Sequence, residues 1–96
     1  MLMLFAQTVD WTQVERETLE HFTKIVQMNS SDPGGSEEPV IQYLKGVFEK
    51  EGIEAKVFQI DNLVDPNVKR PNIVARLRGN GKKKPILIVG HADTVN

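Results

Sequence analysis

Six consecutive residues carry the clearest chemistry in the sequence: Gly90-His91-Ala92-Asp93-Thr94-Val95. They follow the continuous apolar run Pro85-Ile86-Leu87-Ile88-Val89, which reads as a central strand buried on both faces. In open α/β sheets, ligands collect outside the carboxyl ends of the strands. If the backbone stays extended past Gly90, His91 and Asp93 lie two residues apart and project to the same side. A carboxylate bonded to one imidazole nitrogen fixes the tautomer and raises the basicity of the other nitrogen, which can then bind zinc. Gly90 gives the chain freedom to turn where a strand must become a site. Spacing alone leaves two readings and favours the plainer one. A His-x-Asp pair after a strand is more often a hydrogen-bonded loop pair than a metal site. Zinc takes about four ligands, so two residues do not complete one. His21, the only other histidine, falls on the first helix as a surface or boundary residue.

The composition narrows what else the chain can be. Its 96 residues allow at most one small domain with a modest core. Charge is balanced, with 12 Lys+Arg against 13 Asp+Glu, which gives no electrostatic case for nucleic acid or an anionic membrane. There are no cysteines, so a metal can be held only by His, Asp or Glu. No stretch approaches the roughly 20 apolar residues needed to span a bilayer. Residues 1–9 form an N-terminal segment that opens with Met1-Leu2-Met3-Leu4-Phe5-Ala6. It reads either as the remnant of a signal peptide, with Ala6 before the cleavage point, or as a frayed, partly buried terminus.

Two helices precede the apolar run. Asp10 with Gln13 makes a variant capping box, and Val9 with Val14 is placed like a hydrophobic staple. Trp11, Val14, Leu19, Phe22, Ile25 and Val26 then recur at helical spacing, up to about Met28. The turn formers from Asn29 to Gly35 end that helix. A second helix starts near Ser36, with Glu37 and Glu38 at the positive end of its dipole and Pro39 in its first turn. Val40, Ile41, Leu44, Val47 and Phe48 form its apolar stripe, and Gly52 caps it. Ala55 to Ile60 and Asn72 to Arg78 read as strands. The Gly79–Lys84 turn favours an antiparallel hairpin from the second strand to the run at 85–89. The expected fold class is α/β: two N-terminal helices packed on a mixed sheet, in the order helix, helix, strand, strand, strand.

Other motifs read more simply. Gly79-Asn80-Gly81-Lys82 matches neither phosphate-loop pattern and is a solvated turn. Lys82 to Lys84 is a soluble edge. Asn29-Ser30-Ser31 fits an N-glycosylation acceptor, a triplet common by chance. Ser30 and Ser31 have no base paired with them in sequence, which argues against a serine nucleophile.

Five features recur in order from about Trp11 onward: the amphipathic helix followed by Met28-Asn29-Ser30 and Asp32-Pro33-Gly34-Gly35; a Glu opening the second helix (Glu37 or Glu38); Glu51-Gly52-Ile53; Arg70-Pro71-Asn72-Ile73-Val74-Ala75; and Gly90 to Val95 after an apolar strand. Together they resemble the start of the co-catalytic di-zinc peptidase family. That family includes succinyl-diaminopimelate desuccinylase, acetylornithine deacetylase, aminoacylase and glutamate carboxypeptidases. The resemblance implies that residues 10–96 are the N-terminal portion of a zinc-exopeptidase-like catalytic domain. It also implies that His91 ligates one of two zinc ions, with cobalt as an alternative metal, and that Asp93 orients His91 and supports catalysis. The family's bridging Asp, its Glu-Glu pair with the general base, its second-metal carboxylate and its distal His would lie beyond Asn96.

The function so implied is zinc-dependent hydrolysis of amide or peptide bonds by metal-activated water, of the exopeptidase, carboxypeptidase or N-acyl-amino-acid deacylase type. The partners are then a peptide or N-acyl-amino-acid substrate, with no nucleic acid and no membrane, and a homodimer only in a full-length enzyme. The 96 residues alone are expected to be an inactive fragment. The compartment is either cytoplasmic or exported and periplasmic. The competing expectation is a non-catalytic α/β interaction module derived from the same family.

Overall fold

The computed structural model describes residues 8–95, so any reading of residues 1–7 and of Asn96 lies outside the described residues. Four elements follow one another: α1 (Trp11–Val26), α2 (Glu38–Lys50), β1 (Glu54–Asp61) and β2 (Lys69–Arg76). Asp10 caps α1, its side chain accepting from the Gln13 backbone N–H at 3.2 Å. The reciprocal half of the expected capping box is missing, because the Gln13 amide turns forward to Glu17 at 2.8 Å. The expected Val9–Val14 staple is likewise not buried: both side chains are exposed.

α2 closes as its sequence demands. Gly52 adopts φ +71°, a conformation open to glycine. The Ile53 N–H then bonds the Phe48 carbonyl at 2.8 Å and the Gly52 N–H bonds that of Glu49 at 3.0 Å. This paired 6→1 and 5→2 arrangement satisfies carbonyls that a helix end leaves orphaned.

β1 and β2 pair antiparallel, from Glu54 opposite Arg76 to Asp61 opposite Lys69. Side chains alternate across a strand. One face of the hairpin therefore presents Ala55, Val57, Pro71, Ile73 and Ala75, which are buried or half-buried, and α2 lies against this hairpin. The other face presents Phe58, Ile60 and Val74 to solvent. The buried aliphatic side chains among the described residues are Val40 and Ile41, both on α2, with Pro71 of β2 also buried. α1 buries no residue of its own, and its main side-chain tie to α2 is His21 Nδ1 with the Tyr43 hydroxyl at 2.6 Å. His21 is half-buried, as a boundary residue should be. The radius of gyration is 17.0 Å, against about 12–13 Å for a compact domain of this length.

The expected third strand does not form among the described residues. Residues 86–89 belong to no strand among the described residues, and their side chains are 80–91% exposed. The turn before them forms: the Asn80 carboxamide accepts from the Lys82 N–H at 3.0 Å, and Gly81 takes φ +77°. The hairpin does not follow. A strand apolar on both faces is stabilised by layers above and below it. A two-stranded sheet whose inner face already meets α2 offers this run neither. The described fold is therefore mixed α/β with two helices and a two-stranded antiparallel sheet.

Candidate functional site

The turn between α1 and α2 forms one wall of the site. Its Asn29 carboxamide oxygen accepts from the Ser31 N–H at 3.2 Å and from the Ser31 hydroxyl at 2.7 Å. The Asn29 and Ser31 carbonyls accept from Ser36 and Gly35 at 3.1 and 2.8 Å. Ser30 and Ser31 are buried by this folding-back. The Ser31 hydroxyl is thus committed to Asn29, in keeping with a structural serine.

The segment after Gly90 docks on this turn. The Thr94 N–H donates to the Ser30 carbonyl at 3.0 Å and the Asp32 N–H donates to the Thr94 carbonyl at 3.1 Å, a parallel bridge of one residue pair. That clamp brings His91 and Asp93 to the turn although the apolar run before them is free of the sheet.

His91 and Asp93 meet. His91 Nδ1 lies 2.9 Å from the Asp93 backbone carbonyl and 3.2 Å from Asp93 Oδ1. Both oxygens are acceptors, so the nitrogen between them is the donor. A neutral ring then carries its proton on Nδ1 and its lone pair on Nε2. The His91 side chain is 85% exposed, which turns that lone pair toward solvent.

Arg70 reaches the same place from β2. Its Nε bonds Glu37 Oε2 at 2.9 Å and its second terminal nitrogen bonds Glu37 Oε1, a bidentate pair. Its other terminal nitrogen bonds Asp32 Oδ2 at 2.5 Å, and Asp93 Oδ2 stands 3.7 Å from the terminal nitrogen that Glu37 holds. The hydrogen bond with Glu37, and next that with Asp32, raises the Arg70 guanidinium above its already high ordinary value. Three carboxylates thus surround a fixed cation, which makes the group an ion-pair cluster.

These side chains line an open cleft of about 1040 Å³ between the end of α1, α2, β2 and residues 90–95. Its apolar wall includes Val40, Ile41, Leu44 and Ile73, and its polar wall includes Glu37, Arg70, His91 and Asp93. His91 with Asp93 has the donor chemistry of one zinc ligand and its orienting carboxylate. Among the described residues no group of three or more His, Cys, Asp or Glu side chains is arranged to hold a metal ion. The described residues therefore do not make a closed zinc site.

Sequence reasoning placed His91 beside Asp93, but it left Glu37 as a helix-start charge and Arg70 as part of a motif. The signal for Glu37 was present. Positions 37, 40, 41 and 44 share a helical face, so a glutamate there falls on the apolar stripe and needs a buried partner. No family model, curated protein or solved structure matches this chain.

Proposed function

We propose that this chain contributes a metal-ligating histidine, His91, and its orienting carboxylate, Asp93, to a zinc-dependent hydrolase of amide or peptide bonds, of the exopeptidase or N-acyl-amino-acid deacylase type. The observation that carries the reading is the double acceptor at His91 Nδ1, the Asp93 carbonyl at 2.9 Å and its carboxylate at 3.2 Å. It leaves Nε2 with its lone pair on an exposed ring. The Gly-His-x-Asp-x-Val pattern and the four features before it, read above, support the same conclusion.

In this reading His91 Nε2 is the ligand atom. Asp93 keeps the proton on Nδ1, holds the ring plane and raises the basicity of Nε2. When bound, zinc supplies Lewis acidity toward a water and an amide carbonyl. Zinc takes about four ligands, and among the described residues no group of three or more His, Cys, Asp or Glu is arranged to hold a metal, so the reading requires ligands and a general base beyond this pair. The finer fold reading belongs to the same proposal: residues 86–89 are the third strand of a larger mixed sheet. Each of Ile86, Leu87, Ile88 and Val89 gains about 1.5–3 kcal/mol when buried, so their exposure favours a partner layer.

Cobalt titration of the chain followed by amide and ring NMR tests the ligand assignment. The expected result is perturbation centred on His91, abolished in His91→Ala and at least about tenfold weaker in Asp93→Asn. Equal perturbation at His21 and His91, or none at His91, overturns it. Hydrolysis itself is tested on the product of the whole reading frame with dipeptide and N-acyl-amino-acid substrates. Activity insensitive to His91→Ala refutes the reading.

A further inference from the structure

We propose that Arg70 is a positioning residue for the His91–Asp93 pair, holding the Asp93 carboxylate in the orientation that keeps the His91 proton on Nδ1. The inference rests on the reading above that His91 and Asp93 act together.

The two oxygens of Asp93 divide their work. Oδ1 faces His91 Nδ1 at 3.2 Å, and Oδ2 faces Arg70 at 3.7 Å. Among the described residues, Arg70 is the one lysine or arginine within ion-pair reach of Asp93. A carboxylate with a cation on one side and an N–H on the other has its rotation about the Cβ–Cγ bond restrained. The cation is itself restrained. Glu37 grips Nε and one terminal nitrogen from a buried position, and Asp32 takes the other terminal nitrogen. The same Asp32 donates its backbone N–H to the Thr94 carbonyl at 3.1 Å. Guanidinium and backbone are thereby referenced to one turn on either side of Asp93. A planar fork suits this task. A lysine would bring the charge without fixing the plane.

The test uses the 96-residue chain labelled with ¹⁵N and reads the His91 ring nitrogens at about pH 8.5, some two units above the ordinary imidazole value. Wild type should show Nδ1–H as the dominant tautomer. Arg70→Gln combined with Glu37→Gln removes the cation without leaving a buried carboxylate behind. The ratio of Nδ1–H to Nε2–H should fall at least about threefold, roughly half the net effect of an ordinary hydrogen bond. Amide shifts of α2 and the hairpin should stay close to wild type. Arg70→Lys should recover the ratio only in part. A merely structural tie would leave the ratio unchanged while the fold persists, and that result overturns the role of Arg70 alone. Loss of the fold in both variants also overturns it, since Arg70 would then act on the whole chain. A wild-type ring protonated on Nε2 sinks the His91–Asp93 reading and this inference together.

Discussion

Arg70 and Glu37 form a bidentate pair in which the two partners differ sharply in exposure: the Glu37 side chain is 8% exposed and that of Arg70 is 24%. The carboxylate depends on the guanidinium more than the reverse. Removing one partner of a buried pair hurts most when the charge left behind cannot reach water. Arg70→Ala should therefore lower the urea midpoint more than Glu37→Gln, which leaves Arg70 with Asp32 and solvent. Because the folded guanidinium value is raised, its contribution is fully present below the unfolded value and is lost only as pH rises through the folded one. The ordering of the two variants should thus hold across about pH 5 to 9. Equal midpoints would mean that solvent reaches Glu37.

A second pair acts on α1 alone. Lys24 hydrogen-bonds Glu20 at 3.2 Å, and that bond, followed by the charge of Lys24, lowers the Glu20 carboxyl below its ordinary value. A carboxyl with a depressed folded value stabilises above the unfolded value and loses that contribution as pH falls through the folded one. Both groups are open to water, so the effect is small and screened by salt. Carboxyl-carbon NMR should place the Glu20 midpoint below the ordinary glutamate value. Lys24→Gln or molar salt should move it back. An unmoved midpoint in Lys24→Gln would rule out Lys24 as the cause.

The apolar core rests on very few side chains. Val40 is 2% exposed and Ile41 is 3%, while Leu19 on α1 is 65% exposed. Ile41→Ala should cost about 2–5 kcal/mol, a large share of what so small a core supplies. Leu19→Ala should stay within about 0.5 kcal/mol. Far-UV circular dichroism in urea measures both. A Leu19→Ala loss as large as that of Ile41→Ala would show that α1 packs on the rest of the chain in solution.

The turn that receives Thr94 has one tight contact that admits no side chain. A Cβ on Gly35 would lie 2.6 Å from the Asn29 carbonyl oxygen and 2.8 Å from the Ser31 nitrogen, both backbone atoms. Backbone cannot step aside as a flexible side-chain tip can. Gly35→Ala should cost about 1–3 kcal/mol, as overpacking does. It should also weaken the Ser30–Thr94 and Asp32–Thr94 bonds, seen as faster hydrogen exchange at Thr94 and Asp32. Gly46→Ala, where a Cβ meets nothing, is the control and should be neutral or stabilising.

What the sequence disclosed follows the range of the interactions involved. Asp10 as a cap and Gly52 as a C-terminal stop are fixed within a few residues, and both stand as read. The Val40–Ile41 stripe is a local periodicity and also stands. Strand bounds shifted by a few residues: β2 runs from Lys69 to Arg76, not from Asn72 to Arg78, because the ladder begins at the Asp61–Lys69 pair across the loop. His91 and Asp93 could be paired on paper because they are two residues apart. Arg70 and Glu37 lie 33 residues apart, and only the placement of β2 beside the start of α2 brings them together. Residues 86–89 show the opposite limit. Their apolar run reads as a strand in sequence, yet a strand also requires neighbours, which a linear pattern does not supply.

That run carries the last prediction. Four consecutive large apolar residues, 80–91% exposed, stand outside any ladder among the described residues. Such a segment is a template for association between chains, and Lys82 to Lys84 guard only its leading end. Ile86→Lys with Ile88→Lys places two like charges on one side of the run, where a second extended segment would have to bring its own pair against them. Light scattering should begin at a higher protein concentration in this variant. The urea midpoint should stay within about 0.5 kcal/mol of wild type, because the substituted side chains touch little. The two readouts separate the causes. Unchanged scattering would acquit the run of association. A large loss of stability would mean that Ile86 and Ile88 are packed in the folded chain in solution, contrary to their exposure here.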